Sequence, residues 1–220
     1  MLYHNNYFCY EKSIMALVEP QPIQPQFCYE ASQPRALSQI YQPATQIAVW
    51  HGDWGVEALN YVESLRDLQS ALSLRQILQP QELSDYLQSS LPTAEGKQAL
   101  IEGISLVGDM FGYLFELDRL GFRLAILEQA MCPKFHRDQV PCRLVCTLRG
   151  AATEWLDGKQ AYDWMQNPAA ESTCHQLQTG HVALLKGKGW LNNEDQGLVH
   201  RSPQVKKGDW RLFFSMDFAH

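Results

Sequence analysis

Positive charge is scarce in this 220-residue chain: 18 lysines and arginines face 24 aspartates and glutamates, for a formal net charge of −6. That balance lacks the basic footprint of a general nucleic-acid binder, so no nucleic-acid partner is expected. The lysines at 186, 188, 206 and 207 read as solvated loops. No apolar run approaches the length of a bilayer-spanning helix, and no membrane partner is expected either. The first twenty residues carry no basic cluster followed by an apolar stretch, which argues against a secretory signal, and Met15 is an alternative start. The six cysteines (Cys9, Cys28, Cys132, Cys142, Cys146 and Cys174) are therefore read as reduced thiols of a cytoplasmic protein, not as a disulfide framework. Also missing are a phosphate-cradling glycine loop, a nucleophile elbow, a dinucleotide fingerprint and any internal repeat; Gly187-Lys-Gly189 has too few elements to qualify.

What remains is ordinary globular material, 45% hydrophobic and 19% charged, of a length that favours one domain. Residues 1–46 read as an irregular Pro/Gln-rich lead-in, broken by Pro20, Pro22, Pro25, Pro34 and Pro43, with Tyr7, Phe8 and Phe27 as points where it packs on the body. Residues 47–220 form the domain proper. After a short strand at 46–50, apolar spacing predicts a helix over Val56–Leu78, a second from Pro80 to about Ser90, and a third from Ala94 to about Asp118. Gly103, Gly108 and Gly112 weaken the third, so close packing must compensate. Beyond residue 120 the texture changes to short β-branched or alternating runs at 122–130, 143–149, 181–186, 198–200 and 210–218, separated by glycine turns. The expected class is α+β: a helical front (47–119) packed on a β-rich core (120–220) of barrel or jelly-roll type.

His136-Arg137-Asp138 carries the functional signal. Alternate side chains of an extended strand share a face, so His136 and Asp138 can grip one object together, and His200 supplies a second imidazole from a later strand. Two histidines and one carboxylate with open positions make the facial triad of non-haem Fe(II) oxygenases. Arg211 lies about one strand further on, where such sites place their anchor for an acidic co-substrate, and a guanidinium fork can bind a carboxylate at two points. Its alternative is an ordinary ion pair, and Arg201 competes for the anchoring role. Cys132, His136, Cys142 and Cys146 invite a zinc reading, but Cys142 and Cys146 alternate with Leu144 and Leu148 as buried inert thiols do. Cys174, His175 and His181 stand alone. Glu154 reads as a general base or a surface carboxylate. The tryptophans at 155, 164, 190 and 210 read as core or pocket lining.

The stretch Thr179–Gly187, then His200, then Gly208-Asp-Trp-Arg211-Leu-Phe-Phe-Ser-Met-Asp-Phe resembles the end of 2-oxoglutarate-dependent oxygenases, and Arg143–Trp155 resembles the segment that follows His-x-Asp in their hydroxylase branch. The resemblance covers roughly residues 120–218. It implies a double-stranded β-helix, cupin-like, with Fe(II) held by His136, Asp138 and His200 and 2-oxoglutarate anchored by Arg211. Many relatives carry serine two residues after that arginine; this chain has Phe213. More specifically, Cys132-Pro-Lys-Phe-His136-Arg-Asp138, Gly150-Ala-Ala-Thr153-Glu-Trp-Leu156 and His200-Arg-Ser-Pro203 resemble the hallmarks of a bacterial family of unknown function. The expected activity is that of an oxygenase whose small-molecule or protein substrate the sequence leaves open. The alternatives are a non-catalytic metal-binding or zinc-homeostasis protein on the same scaffold, and a cupin-like enzyme using a metal without 2-oxoglutarate.

Overall fold

The computed structural model describes residues 26–168, 173–194 and 196–219; Met15, Tyr7, Phe8 and Cys9 lie outside them. Among these residues ten strands and four α-helices follow one another as β1 (Cys28–Ala31), β2 (Ile47–Trp50), α1 (Gly55–Leu68), β3 (Ser73–Leu78), α2 (Leu83–Ser90), α3 (Lys97–Phe115), β4 (Leu120–Leu127), β5 (Cys142–Arg149), β6 (Glu154–Trp155), α4 (Gly158–Gln166), β7 (His175–Gln176), β8 (Val182–Lys186), β9 (His200–Arg201) and β10 (Arg211–Phe218). They build a seven-stranded sheet in the order β1-β2-β8-β5-β10-β4-β3 and a three-stranded sheet in the order β7-β6-β9. Among the described residues only the β1–β2 edge pair is parallel; the remaining pairs are antiparallel.

Alternation along the strands divides the interior in two. Leu144, Cys146 and Leu148 of β5, with Leu212, Phe214 and Met216 of β10, face a core shared with α1 and α3. Val145 and Phe213, one residue out of phase, face a second core closed by Trp155, Leu177 and Leu198 from the smaller sheet and its flanking turns. Helix α1 buries Ala58, Tyr61, Val62 and Leu65, the stripe that helical periodicity requires. In α3 the three glycines are points of contact. An added Cβ would meet the Trp54 ring at 2.9 Å from Gly103, Leu83 at 2.7 Å from Gly108 and Pro80 at 2.6 Å from Gly112. The close packing expected for this helix is therefore present, and it offsets the propensity lost to glycine.

Three expectations need correction. The helix expected over Val56–Leu78 stops at Leu68, and Ser73–Leu78 pairs antiparallel with β4 as the sheet's edge strand. Leu59, Leu68 and Ile77, counted towards helical spacing, are exposed; the open edge of β4 claims the later residues, and tertiary hydrogen bonding overrides the local pattern. Within the stretch read as an irregular lead-in, residues 28–31 form β1 and Pro34–Tyr41 a 3-10 helix that buries Ala36, Leu37 and Ile40. Lys186 is not a solvated loop residue. It is 1% exposed, donates from Nζ to Gln42 O at 3.0 Å and lies over the Trp190 ring. No helix among the described residues is long and apolar enough to cross a membrane.

The segment between β4 and β5 is tied down by backbone bonds to the turn after β8: Lys188 N donates to Asp138 O at 2.9 Å and Gly187 N to Pro141 O at 2.9 Å. Gly187 makes this approach possible, since a Cβ there would lie 2.0 Å from Val140 O. Gly187→Ala is expected to lower the melting temperature by roughly 3–10 °C, the range for an overpacked interior site in a domain of this size. Thermal melts check this, and an unchanged midpoint would show that the 138–141 segment yields freely.

Candidate metal centre

His136 does not sit in a regular strand. It forms an isolated antiparallel bridge with His200, in which His136 N donates to His200 O and His200 N to His136 O, both at 3.0 Å. On its other side His200 pairs with Trp155 of β6. The bridge extends the small sheet by one position and sets the two imidazoles side by side, with ring centroids 4.6 Å apart. Asp138, two residues on, turns its carboxylate towards both. His136 Nε2 lies 3.8 Å from Asp138 Oδ1, and His200 Nε2 lies 3.5 Å from Asp138 Oδ2. One donor atom from each of the three residues falls within 4.8 Å of the others.

The backbone also faces the far side of each ring. His136 Nδ1 is 3.0 Å from Lys134 O, and His200 Nδ1 is 3.2 Å from Leu198 O. A carbonyl only accepts, so in the neutral rings each Nδ1 carries the proton and each Nε2 presents a lone pair to the shared space. Burial pulls the His200 imidazole down to about 4, against the attraction of Asp138. It is therefore neutral at ordinary pH, as a ligand must be. The Asp138 side chain is only 10% exposed. Arg143 Nη1 donates to its Oδ1 at 2.9 Å, while Oδ2, the oxygen facing His200, is buried with no hydrogen-bond partner among the described residues. An unpaired buried carboxylate oxygen beside two imidazole lone pairs is the arrangement a cation relieves.

Arg143 and Asp217 were not singled out in the sequence. Arg143 holds Asp217 through Nε at 2.7 Å and Nη2 at 3.2 Å, so one guanidinium links two carboxylates. The signal was available: both are charged residues at inward-facing positions of strands, directly opposite in register.

Arg211 starts β10 and is 1% exposed. Its Nη2 donates to Thr147 Oγ1 at 3.1 Å, while Nε and Nη1 have no partner among the described residues. Burial pulls its guanidinium down to about 10, against the Glu154 carboxylate. No ion pair accounts for it among the described residues. Alternation puts Arg211 on the same face of β10 as Phe213, Ser215 and Asp217, the face on which Arg143 reaches Asp138. Arg201, the competing anchor, is committed elsewhere: its Nε donates to Glu154 and its guanidinium lies over the Phe135 ring. The same bond occupies Glu154 and leaves it poorly placed to act as a base.

The model of the family described as "Protein of unknown function (DUF1826)" matches residues 31–217. The chain belongs to that family. No curated protein matches the DUF1826 chain in sequence. Among solved structures it is similar to a dioxygenase for auxin oxidation from rice, at 14% identity and a TM-score of 0.52 over 79% of this chain and 73% of that one. It is also similar to the Arabidopsis thaliana dioxygenase for auxin oxidation 1, in a binary complex with 2-oxoglutarate, at 10% identity and a TM-score of 0.54 over 87% and 91%. At such identities what is shared is the fold, a jelly-roll core.

The remaining candidates separate cleanly. Cys142 and Cys146 are buried on the helix-facing side of β5, opposite to the face of Arg143, and burial pushes both thiols up. Cys132 is exposed. His175 stacks on Trp155 and faces Asp157. His181 does not stand alone: with His51 and Glu30 it makes a second His-His-carboxylate group. There His51 Nε2 meets Glu30 at 2.8 Å, and the two rings stack nearly parallel at 14°. Glu30 and His51 are over 40% exposed, so water already solvates what an ion would bind. Trp155 and Trp210 are core residues, one in each interior cluster.

The lowered His200 value makes a directional pH prediction. The unfolded chain protonates this imidazole near its ordinary 6.5, whereas the folded site refuses the proton down to about 4. The stability of metal-free protein should therefore fall as the pH drops through that window, because the unfolded state then binds more protons. Urea unfolding between pH 7 and pH 4 should show a shallower fall for His200→Gln than for the parent, and equal slopes would rule this origin out.

Proposed function

We propose that this DUF1826 protein is a mononuclear non-haem Fe(II)- and 2-oxoglutarate-dependent oxygenase, with the metal held by His136, Asp138 and His200 and the co-substrate's distal carboxylate held by Arg211. The observation that carries the reading is the unpartnered buried Oδ2 of Asp138 between two imidazoles whose Nδ1 atoms face backbone carbonyls. Two nitrogens and one carboxylate oxygen suit iron and leave coordination positions free. Fe(II) with 2-oxoglutarate, when bound, supplies the activation of dioxygen that oxidises a substrate C–H bond.

The chain's own part is to position and to exclude. The backbone bridge fixes the imidazole pair, and the carbonyls of Lys134 and Leu198 hold their tautomers. Arg143 restrains Asp138 through Oδ1 and leaves Oδ2 as the free ligand atom. Arg211 offers Nε and Nη1, two donors with no other acceptor in a nearly water-free setting, where a carboxylate is held far more strongly than in solvent. Phe213, where many such enzymes carry serine, closes the space beside Arg211 with an apolar ring, its centroid 5.5 Å from the guanidinium carbon. The co-substrate carboxylate thus gains no hydroxyl from that position, and Thr147, whose hydroxyl is already bonded to Arg211, takes the part.

Anaerobic titration with Fe(II) and then 2-oxoglutarate tests the reading through the visible charge-transfer band that the pair gives. Equimolar iron and a band dependent on 2-oxoglutarate are expected, with His200→Ala and Asp138→Ala losing the metal. Arg211→Met should keep the metal and weaken 2-oxoglutarate binding at least tenfold. It should also raise the melting temperature of the ligand-free protein, since a buried ion lacking partners is replaced by an apolar chain of similar length. Tight zinc that survives His200→Ala but not Cys132→Ala would sink the proposal in favour of a thiol site.

A further inference from the structure

The smaller sheet covers only part of the large sheet's second face. Where β3, β4 and β10 run beyond that cover lies a cavity of about 840 Å³ whose lining includes Arg75, Arg119, Arg123, Arg143, Ser215 and Asp217. Four guanidiniums around one hollow are unexpected in a chain of net charge −6. Register makes the crowding specific. Arg75 of β3 stands directly opposite Arg123 of β4, and Arg123 directly opposite Ser215 of β10. Like charges directly opposed on neighbouring strands destabilise a sheet.

No carboxylate among the described residues pairs with Arg75, Arg119 or Arg123. The arginines that find carboxylates are Arg66, Arg143, Arg149 and Arg201. Arg75, Arg119 and Arg123 do not, and burial together with the neighbouring charge of Arg75 holds the Arg123 guanidinium below its ordinary value. The fourth arginine connects the hollow to the candidate metal centre, because Arg143 donates to Asp138 on one side and to Asp217 on the other. A pre-formed cavity with unspent cations, one of whose lining residues, Arg143, also holds the triad's carboxylate, has the form of a substrate site. Its volume is that of a small-molecule pocket, not of a polymer groove.

We propose that this cavity binds a small molecule bearing two or more anionic groups, carboxylate or phosphate, through Arg75, Arg119 and Arg123, and that this molecule is the substrate of the neighbouring centre. Calling it the substrate rests on the oxygenase reading; the anion site itself does not. Planar forks suit either group, since both accept paired N–H donors.

Calorimetric titration of the full chain, free of metal and at low salt, with citrate and separately with pyrophosphate tests this. At least one probe should bind, and the one that binds tighter identifies carboxylate or phosphate as the anion. Arg75→Gln with Arg123→Gln should weaken that binding at least tenfold, while Arg211→Met leaves it in place. Without probe, Arg123→Gln alone should raise the melting temperature by roughly 1–3 °C by removing the cross-strand repulsion; a fall would mark Arg123 as the partner of an acid and overturn the proposal. So would failure of both probes to bind the parent chain, binding that survives the double substitution, or a single-stranded oligonucleotide that binds there more tightly than either probe. Probe binding that depends on Arg75 and Arg123 in a protein that takes up neither Fe(II) nor 2-oxoglutarate would uphold the anion site and overturn only the oxygenase reading.

Discussion

A carboxylate with one oxygen satisfied and the other left open, deep beside two imidazoles, governs the rest of this structure. Arg143 supplies Asp138 with a charged partner on Oδ1 and nothing on Oδ2. Burying half-paired charge is costly, and proteins keep it where a ligand completes the shell. The surroundings are arranged to keep that oxygen in place. The turn at Gly187 and Lys188 grips the 138–141 backbone, and Asp217 holds the far side of Arg143. The second His-His-carboxylate group, at Glu30, His51 and His181, shows what is absent without such support. Its acid is bonded to one of its own histidines and open to water.

Strand β10 shows how one element serves two purposes through the strand period alone. Leu212, Phe214 and Met216 fill the helix-side core, where each large buried side chain contributes about 1.5–3 kcal/mol. The alternate set, Arg211, Phe213, Ser215 and Asp217, faces the side of the candidate metal centre. A slip of one residue would exchange the sets and bury four polar or functional positions against α3. The apolar half of the strand is therefore what places the arginine and the aspartate, and stability and site share one register.

Much of the site could be read from residue types and order. His136, Asp138, His200 and Arg211 were distinguishable because few chemistries use two imidazoles, a carboxylate and a later guanidinium in that sequence, and donor atoms of the first three lie within 4.8 Å of one another. Arg143 and Asp217 were overlooked because a lone arginine or aspartate in a strand carries no motif; only their cross-strand register gives them meaning. The same holds for Arg75, which the helical reading of residues 56–78 placed on a helix. There it would be one more solvated charge. On the edge strand it confronts Arg123.

The amino-acid order by itself determined the periodicities: the α1 and α3 stripes, the alternation of β5 and β10, and the histidine–carboxylate pair with its remote imidazole. Each depends on neighbours within a few residues, so local chemistry suffices. Tertiary structure alone decided that Ser73–Leu78 becomes an edge strand, that Cys28–Ala31 joins the sheet from within a proline-rich stretch, and that His136 meets His200 through a two-residue backbone bridge. Those outcomes depend on which unpaired edge a distant segment finds. A short polar stretch gains too little from its own conformation to choose without a partner's hydrogen bonds.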